Sequence, residues 1–339
     1  MQVGSINTLT ENHVRVLLDK LSSLRREIGK VIVGQGQAVE ELLTTFVAGG
    51  HCLLEGVPGL AKTLMIRTLA DAVDLTFSRI QFTPDLMPSD IIGTEVLEED
   101  HTTGRRFFKF NKGPVFANVM LADEINRTPP KTQAALLEAM QEFAVTYGGQ
   151  TYPLERPFFV LATQNPIEQA GTYPLPEAQL DRFLLYITID YPSQEEELEI
   201  LSKTTGSHAP TVHRVISADD ILRVQALARE VTISEALLAY VNRLIRATRP
   251  SEQALAYVRH WVRWGAGPRA GQALILTAKA RALLQGRFAV TLDDIRAMAY
   301  PALRHRVLIN FKAEAEGITA DDVTRTLFDE VPEPKSPLV

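Results

Sequence analysis

Gly56-Val57-Pro58-Gly59-Leu60-Ala61-Lys62-Thr63-Leu64 stands directly after the apolar run Cys52-Leu53-Leu54 and opens a stretch with helical spacing. A glycine-rich turn between strand and helix aims backbone N–H groups into a concavity. The positive end of the helix adds to it, so phosphate is the ligand that suits it. In such a loop Lys62 reaches the outer phosphates and the Thr63 hydroxyl serves a magnesium ion. Ala61 stands where a second glycine is usual. A methyl group fits there if the residue has already entered right-handed helical geometry, where glycine has no advantage. Taken alone, the segment also reads as an ordinary Gly/Pro turn.

Three further segments bear on that choice. Val119-Met120-Leu121-Ala122 runs into Asp123-Glu124, which places two acids at a strand's carboxyl end, where ligands of open α/β sheets sit. Asp123 is then a candidate for the magnesium shell, and Glu124 for polarising the attacking water. Val160-Leu161-Ala162-Thr163-Gln164 ends in Asn165-Pro166, a neutral amide able to orient water without competing for the metal. Asn-Pro equally begins a plain turn. Asp181-Arg182-Phe183 offers an arginine whose planar charge would suit a transferring phosphoryl group, or simply an ion pair with Asp181. Arg269, in Gly267-Pro268-Arg269-Ala270, is a second such candidate from later in the chain.

The surrounding pattern is α/β. Val14, Leu17, Leu18, Leu21, Leu24, Ile28 and Val31 step by threes and fours, predicting a helix over 10–31. Another is expected from about Gln37 to Val47, stopped at Gly49-Gly50. The runs at Cys52, Val119, Phe158 to Ala162 and Leu184 to Ile189 lack polar alternation, as strands buried on both faces do. Helices starting near Lys62 and Pro130 lie between them, the alternation of a doubly wound parallel sheet flanked by helices. After Pro192 no convincing strand pairs occur. Ser217, Thr291 and Thr319 each stand three residues before an aspartate, repeating one helix-start chemistry. The expected division is 1–192 for the α/β part, 193–331 for a smaller all-α part, and 332–339 for a loose tail.

With 339 residues, 45% hydrophobic and 22% charged, the chain is an ordinary folded protein of about two domains. The net charge of −6 disfavours non-specific nucleic-acid binding. Cys52 is the sole cysteine, and the histidines show no zinc-like spacing. Met1 to Glu11 carries no secretory signal pattern, and no apolar run nears the ~20 residues of a membrane span. A cytoplasmic location without membrane insertion is expected.

These segments, in this order, resemble the AAA+ ATPases and more narrowly the MoxR family, over nearly the whole chain. The resemblance rests on Gly56 to Thr63, on Ala122-Asp-Glu-Ile-Asn-Arg127-Thr-Pro-Pro-Lys-Thr-Gln133, on Ala162 to Glu168 and on Leu175 to Phe183. It implies ATP and magnesium as ligands, with Ile32-Val33-Gly34-Gln35 beside the adenine. It makes Asn165 a sensor of the terminal phosphate, Arg182 an arginine finger, and Arg269 a second sensor on a helical lid. It also implies a ring, commonly a hexamer, whose sites are completed by neighbouring subunits. The activity implied is remodelling of partner proteins, often ones with von Willebrand factor A domains. The motor subunit of a magnesium or cobalt chelatase, from a neighbouring family, is the alternative.

Two inserts fit that branch: a hairpin over about 94–112 turning near Thr103-Gly104, and one over 143–159 turning at Gly148-Gly149. Arg105 to Lys112 interleaves basic and aromatic residues, as single-strand-binding grooves do. The facing Glu98-Glu99-Asp100 would neutralise those bases, and strand alternation already explains the aromatics. A nucleic-acid motor is therefore the least favoured reading.

Overall fold

A computed structural model describes residues 10–99, 102, 104, 106–166, 171–205 and 210–334. Residues 1–9, Asp100, Thr103, Arg105, Ile167-Glu168 and 335–339 of the segments above lie outside the described residues.

Two helices come first, α1 (Glu11–Val31) and α2 (Gly36–Ala48). α1 buries Leu17, Leu21, Leu24 and Ile28, the stripe its spacing predicts. α2 stops at Gly49, in the left-handed conformation at φ 75°. Next come β1 (Cys52–Gly56), α3 (Lys62–Val73), β2 (Phe77–Gln81) and α4 (Pro88–Ile92). A hairpin, β3 (Gly93–Glu99) and β4 (Arg106–Lys112), precedes β5 (Val119–Asp123) and α5 (Pro130–Glu142). A second, β6 (Ala144–Tyr147) and β7 (Gln150–Pro153), leads to β8 (Phe159–Gln164), α6 (Glu177–Leu180) and β9 (Leu185–Ile189).

Five strands form one parallel sheet in the order β2-β5-β8-β1-β9. Cys52, Leu54, Val119, Leu121, Phe159, Leu161, Leu185 and Ile187 face one core with α1, α2 and α3. Leu53, Met120, Ala122, Val160 and Ala162 face the other, with Leu136, Leu137 and Met140 of α5. Burial on both faces explains the missing polar alternation. The edge strand β2 is the exception. Its Arg79 and Gln81 are exposed and only Ile80 is buried, so no apolar run marks it in sequence.

The second hairpin is shorter than expected: 154–158 lies outside any strand, and Phe159 already belongs to β8. Gly148 and Gly149 turn it, both at positive φ. Phe110 of the first hairpin stacks on Tyr152 of the second, with ring centroids 4.3 Å apart. Glu98 pairs with Lys109 and Glu99 with Arg106 across the first hairpin.

Beyond β9 lie α7 (Gln194–Thr204), α8 (Ala218–Glu230), α9 (Glu235–Ala247) and α10 (Ala256–Trp261). Then come β10 (Val262–Trp264), α11 (Pro268–Leu284), α12 (Leu292–Leu303), β11 (Leu308–Ile309), α13 (Phe311–Ala315) and α14 (Ala320–Glu330). The second part is helical, as expected, apart from one short antiparallel pair, β10 with β11. Strands of three and two residues are too short to leave a period in the sequence. Buried residues of this part, from Ile221 to Leu327, join the same core as one face of the sheet.

The shared helix-start chemistry holds at Ser217 and Thr319, whose hydroxyls accept from the N–H groups of Asp220 and Asp322. At Thr291 the reciprocal bond does the work: the Asp294 carboxylate accepts from the Thr291 N–H and hydroxyl.

Candidate active site

β1 delivers Gly56 to the carboxyl edge of the sheet, next to Ile189 at the end of β9. A Cβ at Gly56 would meet the Ile189 carbonyl at 3.1 Å, so glycine lets the two strands approach without crowding. From there Val57, Pro58, Gly59 and Leu60 loop outward, with Gly59 at φ 89°. Ala61 overturns the expectation for its backbone. It is left-handed, at φ 55° and ψ 20°, and α3 begins only at Lys62. The loop demands at this position what glycine gives freely, and alanine adopts it under strain.

Lys62 folds over the loop, its Nζ donating to the Gly56 carbonyl at 2.7 Å. Partial burial pushes its ammonium down from the usual value, while Asp123, Glu124 and Glu55 pull it back up. Lysine and Walker-type acids therefore face one another across the loop. Leu64, the next residue but one, stays exposed beside Thr63.

Asp123 ends β5. Its Oδ1 accepts from the Thr163 hydroxyl at 2.6 Å and its Oδ2 from Arg79 Nη2 at 2.7 Å. Glu124 turns left-handed at φ 56°, its N–H donating to the Thr163 hydroxyl oxygen at 2.9 Å. Its Oε2 accepts from Gln81 Nε2 at 2.7 Å and from Arg127 Nη1 at 2.9 Å. The Thr63 hydroxyl and the Asp123 carboxylate give an all-oxygen donor pair, which fits magnesium, a hard cation that keeps most of its water.

Asn165, buried, follows β8 on the same edge, since β8 lies between β5 and β1. Val33, Gly34 and Gln35 come there from the other side. Gln35 Nε2 donates to the Asp190 carbonyl, and Gly34 (φ 73°) lies so close that a side chain would touch Pro192 and Glu196. Val33 to Gln35, Gly56 to Leu64, Asp123, Glu124 and Asn165 thus gather at one edge.

Arg182 and Arg269 do not join them. Cys52 is level with Leu185, so residues 181–184 precede β9 at the sheet's opposite, amino edge. Five strand residues, roughly 15 Å, separate that edge from Gly56. Arg269, at the start of α11, reaches the same place, with Nη1 3.6 Å from Asp181 Oδ2. The ion pair that Asp181 suggested with Arg182 is not made. Asp181 bonds Arg306 instead, at 2.6 Å, and among the described residues no ion pair involves Arg182.

The sequence reading missed Arg79, Gln81, Thr163 and Arg127 as holders of the two acids. The only available signal was the alternation Phe77-Ser78-Arg79-Ile80-Gln81, a weak strand pattern.

The chain matches the family model described as ATPase family associated with various cellular activities over residues 51–185, and the AAA lid domain over 256–327. Chaperone MoxR1 of Mycobacterium tuberculosis is 47% identical over 310 residues, 91% of this chain and 81% of that protein. The YeaC protein of Bacillus subtilis is 43% identical, covering 91% of this chain and 92% of its own length. Protein MoxR of Paracoccus denitrificans is 33% identical over 83% of this chain. A solved structure from Cytophaga hutchinsonii superposes with a TM-score of 0.88 at 46% identity, covering 96% of this chain and 98% of that one.

Proposed function

The chain belongs to the MoxR family of AAA+ ATPases, and from that premise we propose that it hydrolyses ATP with magnesium to remodel partner proteins. One observation carries the proposal: the phosphate loop, both acids and Asn165 share one sheet edge, while Arg182 and Arg269 share the other. An arginine beyond the sheet cannot serve its own subunit's phosphates. In a ring, commonly a hexamer, both arginines would enter the neighbour's site, so Arg269 acts in trans beside Arg182.

In that site the loop N–H groups and Lys62 hold the phosphates, and Val33 to Gln35 flank the base. Magnesium, held by Thr63 and Asp123, would neutralise charge on the phosphate oxygens. Glu124 polarises the attacking water, its carboxylate steadied by Gln81 and Arg127. Asn165 orients that water against the terminal phosphate. Arg182 of the next subunit stabilises charge as the phosphoryl group transfers.

A protein client suits the hairpins better than nucleic acid. Phe108 is 71% and Leu97 56% exposed, while Lys109 and Arg106 are engaged by glutamates. Partners with von Willebrand factor A domains are the proposed clients, within the cytoplasm; among the described residues no helix is long and apolar enough to cross a membrane.

The test is ATP turnover against protein concentration, with mass measured alongside, for wild type, Arg182→Ala and Glu124→Gln. Specific activity should rise with assembly, and Arg182→Ala should assemble yet stay slow. Glu124→Gln should bind ATP normally and lose about 10²–10⁴-fold in turnover. A monomer that hydrolyses ATP equally well without Arg182 overturns the shared-site reading.

A further inference from the structure

The residues just before β9 have few sheet bonds of their own. Leu184 N–H donates to the His51 carbonyl at 2.7 Å, but the carbonyls of Asp181, Phe183, Leu184 and Tyr186 accept from the lid. Three consecutive lid residues take them up. Arg304 Nη1 donates to the Tyr186 carbonyl at 2.9 Å. His305 Nε2 donates to the Phe183 carbonyl at 3.1 Å. Arg306 does most: Nε donates to Asp181 Oδ1 at 2.6 Å, Nη1 to the Leu184 carbonyl at 3.1 Å, and Nη2 to the Phe183 carbonyl at 2.8 Å and the Asp181 carbonyl at 3.3 Å. Arg306 is buried, and its remaining bond, to the Ala302 carbonyl, anchors it in α12. Arg269 takes the other oxygen of Asp181.

Arg182 is enclosed by this clasp. Its two sequence neighbours are pinned, Asp181 through carboxylate and carbonyl and Phe183 through its carbonyl and complete burial. Its own guanidinium stays out of the network. A planar guanidinium has five donors in a fixed fork and can serve five fixed oxygens at once, where an ammonium has only three donors. The backbone around Arg182 is therefore held from two sides, its N–H groups by α6 and His51 and its carbonyls by the lid.

We infer that Asp181 and the triplet Arg304-His305-Arg306 are positioning residues for Arg182, so that one subunit's lid sets the finger offered to the next subunit's ATP. This rests on the trans role of Arg182 proposed above. A shift of the lid would act on the carbonyls of 181, 183 and 184 and so on the placing of Arg182, linking successive sites around a ring.

Mixed rings test this, with two variants chosen to keep the fold. Asp181→Asn removes charge but keeps shape on a partly exposed side chain, and Arg306→Lys keeps charge but loses the fork. Each alone should lose about 10–100-fold in kcat, as a finger misplaced by an ångström would. KM and the affinity for a fluorescent ATP analogue should stay within about twofold. Mixed with Glu124→Gln subunits, which offer an intact finger but do not turn over, each should regain activity. Arg182→Ala mixed with Glu124→Gln is the control. Wild-type turnover in both variants overturns the proposal. So does slow turnover that mixing fails to restore while the Arg182→Ala mixture recovers, since the defect then lies in the variant's own site. If the Arg182→Ala mixture does not recover, the trans reading itself is wrong and the clasp has no finger to position.

Discussion

Ala61 shows how a single backbone angle separates sequence from structure. The spacing from Gly56 to Thr63 marks the phosphate loop, yet the alanine suggests a residue already helical. The chain bends left-handed there instead, at φ 55°, a conformation that costs a non-glycine residue about 1–2 kcal/mol. Ala61 is exposed, so nothing in the packing depends on its methyl group. Ala61→Gly should raise stability by about 0.5–1 kcal/mol, the relieved strain exceeding the added freedom of the unfolded chain. ATP affinity should stay within about threefold. Urea denaturation and nucleotide titration read both, and a destabilised variant would mean that the methyl makes contacts of its own. Lys62, Thr63, Asp123 and Glu124 were legible as candidates because short spacings define them, and the structure brings them to one sheet edge. Arg79 and Gln81 were not, since each meets its acid from a separate strand more than forty residues away.

At the scale of the element, α2 was read with nearly correct ends, but its buried face was not. A glutamate in an amphipathic pattern reads as solvated, whereas Glu41 is 2% exposed and bonded to Gln37 within its own helix. Burial pushes its carboxyl from 4.5 up to about 7, the Gln37 bond opposing. The folded value lies above the unfolded one, so the favourable protonated form is complete below pH 4.5 and lost as pH rises through 7. Glu41→Gln mimics that neutral form. It should add up to about 3 kcal/mol at pH 8 and little at pH 5. Equal effects in denaturant melts at the two pH values would show that Glu41 is ionised throughout. Asp294 is the contrasting case. Burial would raise its carboxyl, yet bonds from Arg287, Thr291 and Arg281 outweigh burial and hold it below 3.8. Asp294 accepts from Thr291 as Asp322 does from Thr319, and differs in the two arginines that hold it as well.

For the whole molecule, buried imidazoles set the response to acid. Burial lowers His51 to about 4 and takes His305 well below 6.5, so both stay neutral in the folded chain and protonate only on unfolding. At about pH 5.5 the unfolded chain holds nearly two protons on these histidines, and the folded chain holds one on Glu41. The difference of one proton favours unfolding as pH falls, by about 1.4 kcal/mol per pH unit. In Glu41→Gln the opposing proton is gone, and the slope should approach about 2.7 kcal/mol per unit. Urea midpoints at pH 6.5, 5.5 and 4.5 measure it. A flat profile would mean that the histidines titrate in place. His305 belongs to the lid triplet that bonds the residues around Arg182, so this region shares in that acid response.

The sequence by itself determined the α/β class and marked the candidate phosphate loop, acid pair and arginines. Each of these is local: an apolar run sets a strand buried on both faces, and a short spacing places functional groups on one turn or one strand end. Only the tertiary structure decided that Arg182 and Arg269 lie across the sheet from Gly56, that Asp181 belongs to Arg306, and that a lid triplet holds the residues around Arg182. Those facts depend on strand order and on contacts between residues more than a hundred positions apart, such as 306 with 181. No periodicity carries such information, because a guanidinium's partner is chosen by where the completed sheet and lid leave carbonyls unpaired.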